Sequence, residues 1–441
     1  MSFAMGHMGR LGVLCAGVAL LFPLHRSAAD TPLPDLRPFV DEALLSAGRS
    51  AVPVRRAVRI DPRYLDISRL AWSEDQNKLI FFTDERDHKW GHLEDTDHIV
   101  GYLDLEARRA RHAFFVSQDA LRGYDLDLQC FSGHQAVLLL AWLPPNGTFL
   151  VGDPWPRFGL SACLLDLQER QSIPVTGQAA VAREVVVMAF VGGRTPLGAK
   201  EVRLPARIAI VNAAGERLVE ADYPLEVYPT MSLYGTAVAT PAGFCATFVG
   251  CRRFVPQDSG QGVDGWPLGH GVEPEYEDVY YARFPRAQGG AQVSITMAAA
   301  GHYGTSAKPP GAQWCRYPVL SPSGKQVAYL AYREGSHGGL QARVQELRVW
   351  GPKGDLAVDF VCELSGSDAQ LPPGRYYVPV VRTEKGAEAV PDREAAEAGR
   401  EGIRNNKYVY AFSPDEKTLA FVRGEWLWLA DLSKLGEAKP E

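Results

Sequence analysis

The sequence predicts an all-β protein built from a repeated four-stranded unit, and three observations support this fold class. A turn beginning at serine recurs at Ser73, Ser321 and Ser413, each time between an apolar segment and a strand of alternating apolar residues. Pairs of strands joined by short polar connections recur along the chain. The 43 Gly and 31 Pro among 441 residues interrupt the sequence too often for long helices.

The serine turns have a local physical basis. At Ser321 and Ser413 a proline follows the serine, and Ser323 or Asp415 comes next. Proline presets φ for a tight turn, and a short Ser or Asp side chain can hydrogen-bond the neighbouring backbone. These turns are therefore expected to join the first and second strands of their units.

The remaining strands complete the repeat. Strongly apolar segments, typical of strands buried on both sides, precede each strand pair; they are 79–83, 136–142, 184–190, 244–249, 326–332 and 418–422. Grouping gives six units, and the sixth ends at Trp426–Leu432 without an outermost strand. Val52–Ile60 is a spare strand of suitable length. The pattern predicts a six-bladed β-propeller over residues 51–435, closed by this N-terminal strand, since closure removes exposed sheet edges.

The repeat resembles that of the TolB-like six-bladed propellers, which have WD40-like repeats with a Ser-Pro-Asp-Gly turn. The resemblance covers most of residues 50–433, and only the turns at Ser321 and Ser413 keep the proline. TolB itself carries an α/β domain before its propeller, whereas here only residues 30–50, interpreted as a linker, precede the repeat. A seven-bladed ring with a decayed blade near residues 366–406 is the alternative.

The N-terminal segment predicts export. Arg10 precedes the apolar run Leu11–Leu24, and Ser27-Ala28-Ala29 offers small residues for cleavage, so residues 1–29 are interpreted as a signal peptide. An uncleaved anchor is the alternative. The mature chain, with a short tail at 436–441, is expected in the periplasm or outside the cell without a membrane span. The net charge of −6 argues against a nucleic-acid partner.

The insertions of the predicted propeller fall on one face. Loops between second and third strands and loops between blades emerge on the same side, because successive strands alternate in direction. The segments concerned are 84–98, 143–159, 192–206, 252–277, 298–313, 333–340 and 363–406. Rigid scaffolds usually carry function on such loops, so this face is the expected binding face.

Two of these loops hold candidate functional residues. The first supplies imidazoles and carboxylates suited to a divalent metal or acid–base chemistry, although their spacing matches no established motif and a solvated loop is the alternative; the residues are His88, Trp90, His92, Asp95, Asp97 and His98. The other combines Trp266, His270 and Tyr276 with acidic residues that include Glu277 and Asp278. Such a set suits a sugar, a cationic ligand or a protein partner.

The remaining signals concern redox state and catalysis. Six cysteines follow the predicted signal peptide, and Cys251 and Cys315 lie where neighbouring blades could join them in a disulfide. The sequence contains no GxSxG, HExxH or P-loop motif. We therefore expect a non-catalytic propeller, without a cofactor, that binds a protein or glycan ligand of the cell envelope. The alternative is a metal-dependent polysaccharide lyase or hydrolase with its site at the channel mouth. The sequence leaves the oligomeric state open.

Overall fold

A computed structural model describes the β-sheet framework of the chain. It describes residues 52–60, 67–73, 76–84, 98–116, 124–132, 135–142, 160–166, 171–175, 186–191, 207–212, 217–223, 228–229, 234–251, 254–256, 272–274, 277–286, 293–299, 314–337, 340–352, 354–366, 374–383, 386–389, 409–423 and 426–434. These residues belong to one compact unit, 35–441. Within them, no helix has the length and apolarity needed to cross a membrane.

The described residues form 28 β-strands, of which the first fourteen lie between Val54 and Thr240. They are β1 (Val54–Arg59), β2 (Ile67–Trp72), β3 (Lys78–Asp84), β4 (His98–Asp104), β5 (Arg109–Val116), β6 (Tyr124–Ser132), β7 (Gln135–Trp142), β8 (Leu160–Asp166), β9 (Gln171–Val175), β10 (Val186–Val191), β11 (Arg207–Asn212), β12 (Arg217–Asp222), β13 (Tyr228–Pro229) and β14 (Tyr234–Thr240).

The other fourteen strands follow, and a short 3-10 helix at Leu432–Lys434 comes after the last of them. They are β15 (Gly243–Cys251), β16 (Phe254–Pro256), β17 (Val272–Pro274), β18 (Asp278–Pro285), β19 (Ser294–Ala299), β20 (Trp314–Leu320), β21 (Val327–His337), β22 (Leu340–Gly351), β23 (Gly354–Gly366), β24 (Gly374–Thr383), β25 (Gly386–Ala389), β26 (Val409–Phe412), β27 (Thr418–Arg423) and β28 (Trp426–Asp431).

Four sheets have the order expected of propeller blades, with antiparallel strands in chain order from one edge to the other. Two of them contain β2 to β5 and β6 to β9, and a third runs from β20 outward to β25. The fourth contains β26, β27 and β28, followed by β1. The structure is therefore all-β and propeller-like, and the number of six blades stays a prediction.

The N-terminal strand completes the last sheet, as the sequence predicted. β1 pairs antiparallel with β28, and the N–H of Asp431 donates to the carbonyl oxygen of Pro53 at 2.9 Å. The Arg56 guanidinium lies 5.2 Å from the ring centre of Trp426 and 5.1 Å from that of Trp428. Cation–π contacts of this kind add to the backbone ladder that holds the two ends of the repeat together.

The predicted third and fourth blades form one continuous sheet rather than two. Its order is β12-β11-β10-β14-β15-β18-β19, and β10 pairs antiparallel with β14 through Val187↔Thr236 and Ala189↔Tyr234. No described strand precedes β10 as its own first strand. Because an unpaired strand edge is unfavourable, β10 pairs with the next available strand.

Three segments predicted as insertions contribute strands. Inside 252–277, β16 pairs antiparallel with β17. β24 and β25 extend the sheet of β20 to β23 outward, inside the segment assigned to a loop or, in the seven-bladed alternative, to a decayed blade. β21 and β22 remain paired as far as His337↔Leu340, so the predicted insertion at 333–340 is a longer hairpin.

Successive sheets pack face to face through apolar side chains. Within the continuous sheet, apolar residues of β10 to β12 pack with those of β14, β15 and β18. Between sheets, buried residues join β15, β18 and β19 with β20 and β21. Similar clusters join the β20 sheet with the β26 sheet, and the β26 sheet with the β2 sheet. The first strands β14, β20, β26, β2 and β6 lie next to one another in that order.

The three serine turns share one hydrogen-bond pattern. In each, the serine N–H donates to the carbonyl oxygen five residues later at 2.8–2.9 Å, and the serine carbonyl oxygen accepts from the residue three positions on at 2.8–3.0 Å. The serine Oγ accepts from the N–H five residues later at 2.9–3.1 Å. Ser73, Ser321 and Ser413 are all buried. The predicted role of these serines in the turns is confirmed.

The fourth residue of each turn adopts a left-handed backbone, with φ of 59° at Gln76, 68° at Gly324 and 60° at Glu416. Glycine is required at 324, since a Cβ there would lie 2.7 Å from the Cys245 sulfur. At 416 the side chain has room, and the glutamate accepts a hydrogen bond from Ser323 Oγ of the neighbouring sheet at 2.9 Å.

Candidate binding site at the start of β18 and β20

Most of the predicted site residues lie outside the described part of the chain. His98 begins β4, where its backbone pairs with Asp84 and Val116. The others, which stay predictions, are His88, Trp90, His92, Asp95, Asp97, Trp266, His270 and Tyr276. Within the described residues, no group of three His, Cys, Asp or Glu side chains could hold a metal ion.

A buried ion pair lies where the predicted insertion 252–277 ends. Glu277 immediately precedes β18 and its side chain is fully buried. Its carboxylate accepts a hydrogen bond from Arg316 Nε on β20, the first strand of the next sheet. The Arg316 side chain keeps 27% of its accessible surface. The pair therefore joins two sheets and remains open to solvent on one side.

The backbone at Glu277 reinforces this connection. Glu277 forms a parallel bridge with Trp314, and its carbonyl oxygen accepts from the N–H of Cys315 at 3.0 Å. The Arg316 guanidinium lies 5.7 Å from the ring centre of Trp314, within cation–π range. Trp314 itself is partly exposed. The end of the insertion is thus fixed beside an accessible tryptophan and arginine.

Asp278, the next residue, faces a different environment. It is fully buried, and its Oδ2 accepts a hydrogen bond from the Tyr280 hydroxyl at 3.1 Å. The Tyr280 ring stacks on Phe248 with centroids 5.2 Å apart. Asp278 therefore contributes to the packing around Tyr280 and Phe248. Of the two acids, Glu277 forms the ion pair with Arg316.

A second charged cluster lies within the β20 sheet, where Glu346 is buried, Arg348 is largely buried and Asp355 is exposed. Arg348 on β22 pairs with Glu346 at 2.7 Å and with Asp355 at 3.1 Å. Asp355 also accepts a hydrogen bond from the Tyr329 hydroxyl at 2.8 Å. These contacts lie within a single sheet, so this cluster stabilises the framework that holds β20.

The predicted disulfide does not form in the structure. Cys251 ends β15 and Cys315 is the second residue of β20, and both side chains are buried thiols. Burial raises the pKa of the Cys315 thiol, and the carboxylates of Asp278 and Asp355 raise it further. The thiol therefore stays protonated and unreactive, as is usual for a cysteine in apolar surroundings.

Sequence reasoning found one side of this site. Glu277 and Asp278 belonged to the acidic and aromatic set predicted for binding. Trp314 and Arg316 were missed, because their contact with Glu277 joins residues 39 positions apart along the chain. The signal available was Trp-Cys-Arg-Tyr-Pro, an aromatic and cationic segment directly after a predicted insertion.

Comparisons with known proteins give a distant structural likeness. No family model matches the sequence, and no curated protein matches it. The WD40 domain of SCAP from fission yeast is 9% identical over 86% of this chain and 94% of its own, with a TM-score of 0.31. TolB from Acinetobacter baumannii is 10% identical over 83% of this chain and 54% of its own, with a TM-score of 0.21.

A glycosyl hydrolase from Bacteroides ovatus is 9% identical over 71% of this chain and 96% of its own, with a TM-score of 0.32. Because all three scores are low, the fold described above rests on the strand pairing and packing of this chain.

Proposed function

We propose that this chain is an exported, non-catalytic propeller that binds a protein or glycan ligand on the face of its long insertions. The observation that carries this proposal is the buried pair Glu277–Arg316, which fixes the end of the insertion 252–277 to the first strand of the next sheet.

The energetic cost of this pair supports a positioning role. Removing two ions from water costs several kcal/mol per ion, and a packed apolar pair would often serve stability equally well. Glu277 and Arg316 instead give the start of β18 and the start of β20 one fixed relative orientation. A ligand-binding loop gains affinity from such preorganisation, since less conformational entropy is lost when the ligand binds.

The accessible residues at this position suit recognition. Trp314 and Arg316 are both partly exposed beside the end of the insertion. Tryptophan and arginine are the residue types most enriched among those that dominate binding energy in interfaces. Ligand contacts at this edge would therefore combine with those of Trp266, His270 and Tyr276 on the same insertion.

The binding test compares two matched tryptophan variants. Immobilised mature protein would be incubated with envelope extract, and bound proteins and glycans identified by mass spectrometry. Trp314→Ala should lose the captured species. Trp426→Ala is the control. Trp426 lies on β28, is also partly exposed and has the Arg56 guanidinium 5.2 Å from its ring centre. Equal capture by both variants and wild type would place binding elsewhere.

Two further measurements test export and the absence of catalysis. Cell fractionation and N-terminal sequencing should find the chain outside the cytoplasm, beginning near residue 30. Metal analysis of the purified chain should find no stoichiometric divalent ion. A bound ion at one equivalent, removed by substitution of His88, His92 or His270, would instead support the polysaccharide lyase or hydrolase.

A further inference from the structure

β20 contains a bulge at its centre. Arg316 pairs with Leu330 of β21, whereas Val319 pairs with Ala328, so β20 advances three residues while β21 advances two. Tyr317 and Pro318 together therefore lie opposite the single residue Tyr329. Proline has no N–H to donate, which suits a bulge on an edge strand. Bulges re-aim side chains and are over-represented beside functional sites.

Tyr317 at this bulge is strained and accessible. Its φ is 54°, a value that is an outlier for a bulky side chain, and 37% of its surface is exposed. Such backbone strain costs about 1–3 kcal/mol and persists only where the surroundings enforce it. Glycine at this position would remove the strain, yet the chain has a tyrosine.

The neighbouring sheet holds the bulge in place. The hydroxyl of Tyr410 on β26 donates a hydrogen bond to the carbonyl oxygen of Tyr317. Burial raises the pKa of Tyr410 well above its usual value, and the nearby Tyr332 and Tyr317 add to this rise. Tyr410 therefore remains a neutral donor, and the conformation of Tyr317 is fixed before any ligand arrives.

The position of β20 makes Tyr317 available to a ligand. β20 is the edge strand of its sheet and lies beside the first strands β14 and β26. Tyr317 directly follows Arg316, whose guanidinium lies over Trp314. One short strand segment thus carries an exposed phenol ring and a partly exposed planar donor group on consecutive residues.

We propose that Tyr317 and Arg316 form a subsite for a neutral sugar ring of a glycan. This inference rests on the proposed binding function and names the ligand chemistry at the same site. The exposed aromatic face would pack on the C–H face of a pyranose ring. Arg316 uses Nε for Glu277, and its Nη groups are donors that sugar hydroxyls can accept from.

The local charge favours an uncharged ligand over an acidic one. Glu277 neutralises Arg316 at short range, and the whole chain carries a net charge of −6. A polyanionic glycan would therefore be repelled at long range without an unbalanced cation to bind at the site. A neutral, hydroxyl-rich ring avoids this repulsion and uses the remaining donors.

The test uses neutral hexasaccharides with the full mature chain. Maltohexaose, cellohexaose, chitohexaose and xylohexaose would be titrated by calorimetry at up to millimolar concentration, with hexagalacturonate as the acidic comparison. At least one neutral oligosaccharide should bind, and hexagalacturonate should not. Absence of binding by every neutral oligosaccharide, or preferential binding of hexagalacturonate, would overturn the inference.

The variants separate a binding role from a structural one. Tyr317→Gly keeps the left-handed backbone without strain, so it should melt at the same or a higher temperature while affinity falls about tenfold or more. Tyr317→Phe keeps the ring and should bind as wild type. Leu218→Ala on β12, whose side chain is also 37% exposed, is the control and should bind as wild type. Unchanged affinity in Tyr317→Gly would overturn the inference.

Failure here is distinguishable from failure of the proposed function. If envelope capture depends on Trp314 and yields a protein, while no neutral hexasaccharide binds, the binding face stands and the sugar subsite falls. If capture is independent of Trp314 and no hexasaccharide binds, both are wrong.

Discussion

Two buried glutamates of this protein pair with arginine in different ways. Glu277 and Glu346 are both almost inaccessible to solvent. The partner of Glu277 comes from the next sheet and keeps 27% of its surface, whereas the partner of Glu346 lies two residues away on the same strand and keeps 14%. Arg348 also binds Asp355, which in turn bonds Tyr329.

The difference shows how position changes the use of the same chemistry. The Glu346–Arg348 cluster lies within one sheet, with Glu346 and Arg348 largely buried and Asp355 at its exposed side, so it contributes to the rigidity of that sheet. The Glu277–Arg316 pair joins two sheets at the end of an insertion and has one side facing solvent. Stability should therefore depend more on the first pair, and binding should depend more on the second.

The largest expected effect is on stability, from Arg348→Met. This change leaves Glu346 buried without its cation and removes a partner of Asp355, so the free energy of unfolding should fall by about 3–5 kcal/mol. Urea unfolding followed by far-ultraviolet circular dichroism measures this loss. A loss below about 1 kcal/mol would show that water replaces the arginine, and would remove the distinction between the two pairs.

A smaller stability loss is expected from Arg316→Met. Glu277 then lacks its charged donor, but solvent already reaches this edge, so the unfolding free energy should fall by about 1–3 kcal/mol. Ligand capture should be lost in this variant at temperatures where it is fully folded. In Arg348→Met, folded protein should still capture the ligand. If Arg348→Met lost ligand capture while folded, and Arg316→Met kept it, the comparison between the two pairs would be contradicted.

The sequence predicted the framework better than the site. Local signals predicted two parts of the framework. Turn chemistry predicted the turns at Ser73, Ser321 and Ser413, and a spare strand at the N-terminal end of the repeat, with a missing strand at its C-terminal end, predicted how the last sheet is completed. The joining of β10 to β14 depends on which edges meet in three dimensions. The strand β24 lies in a segment that the six-bladed prediction assigned to a loop and the seven-bladed alternative to a decayed blade. That segment, Gly-Arg-Tyr-Tyr-Val-Pro-Val-Val-Arg-Thr, is rich in β-forming residues.

The site residues were harder to predict for a related reason. The pairing of Arg316 with Glu277 and the bulge at Tyr317 depend on contacts between separate strands. Tyr-Pro in the middle of an apolar strand is a signal for a bulge, since proline is restricted to edges and bulges. That signal locates an irregularity in the strand without showing what lies beside it.

The interface between the sheet that contains β18 and the sheet that begins with β20 can be tested by the dependence of stability on alkaline pH. Burial raises the pKa of Tyr281 to about 12, with further contributions from Cys245, and its hydroxyl donates to the Gly324 carbonyl oxygen at 2.6 Å. Because this pKa is above that of the unfolded chain, near 10, the stability from Tyr281 is present below pH 10 and is lost as pH rises through 12.

At pH 8, the unfolding free energy of Tyr281→Phe should be about 1 kcal/mol below that of wild type, because the hydrogen bond is missing. Between about pH 10 and 12, wild type loses the stability that the Tyr281 hydroxyl provides, so the difference between the two proteins should shrink. Urea unfolding at a series of pH values gives the difference curve. Tyr280→Phe, which alters a hydroxyl away from this interface, is the control. Parallel curves for Tyr281→Phe and wild type would contradict the role of this phenol.

The smallest expected effect, and the sharpest test of separateness, is the coupling between the two arginines. If the pairs are independent, the losses in Arg316→Met and Arg348→Met should add in the double variant to within about 0.5 kcal/mol. A coupling above about 1 kcal/mol would mean that the charges act as one network, either through the Cys315 side chain, whose pKa responds to both sets of carboxylates, or through long-range electrostatics. Repeating the cycle in Cys315→Ala distinguishes these cases: a coupling that disappears with the thiol is carried by that side chain, whereas one that persists arises from long-range electrostatics and should weaken as salt is added.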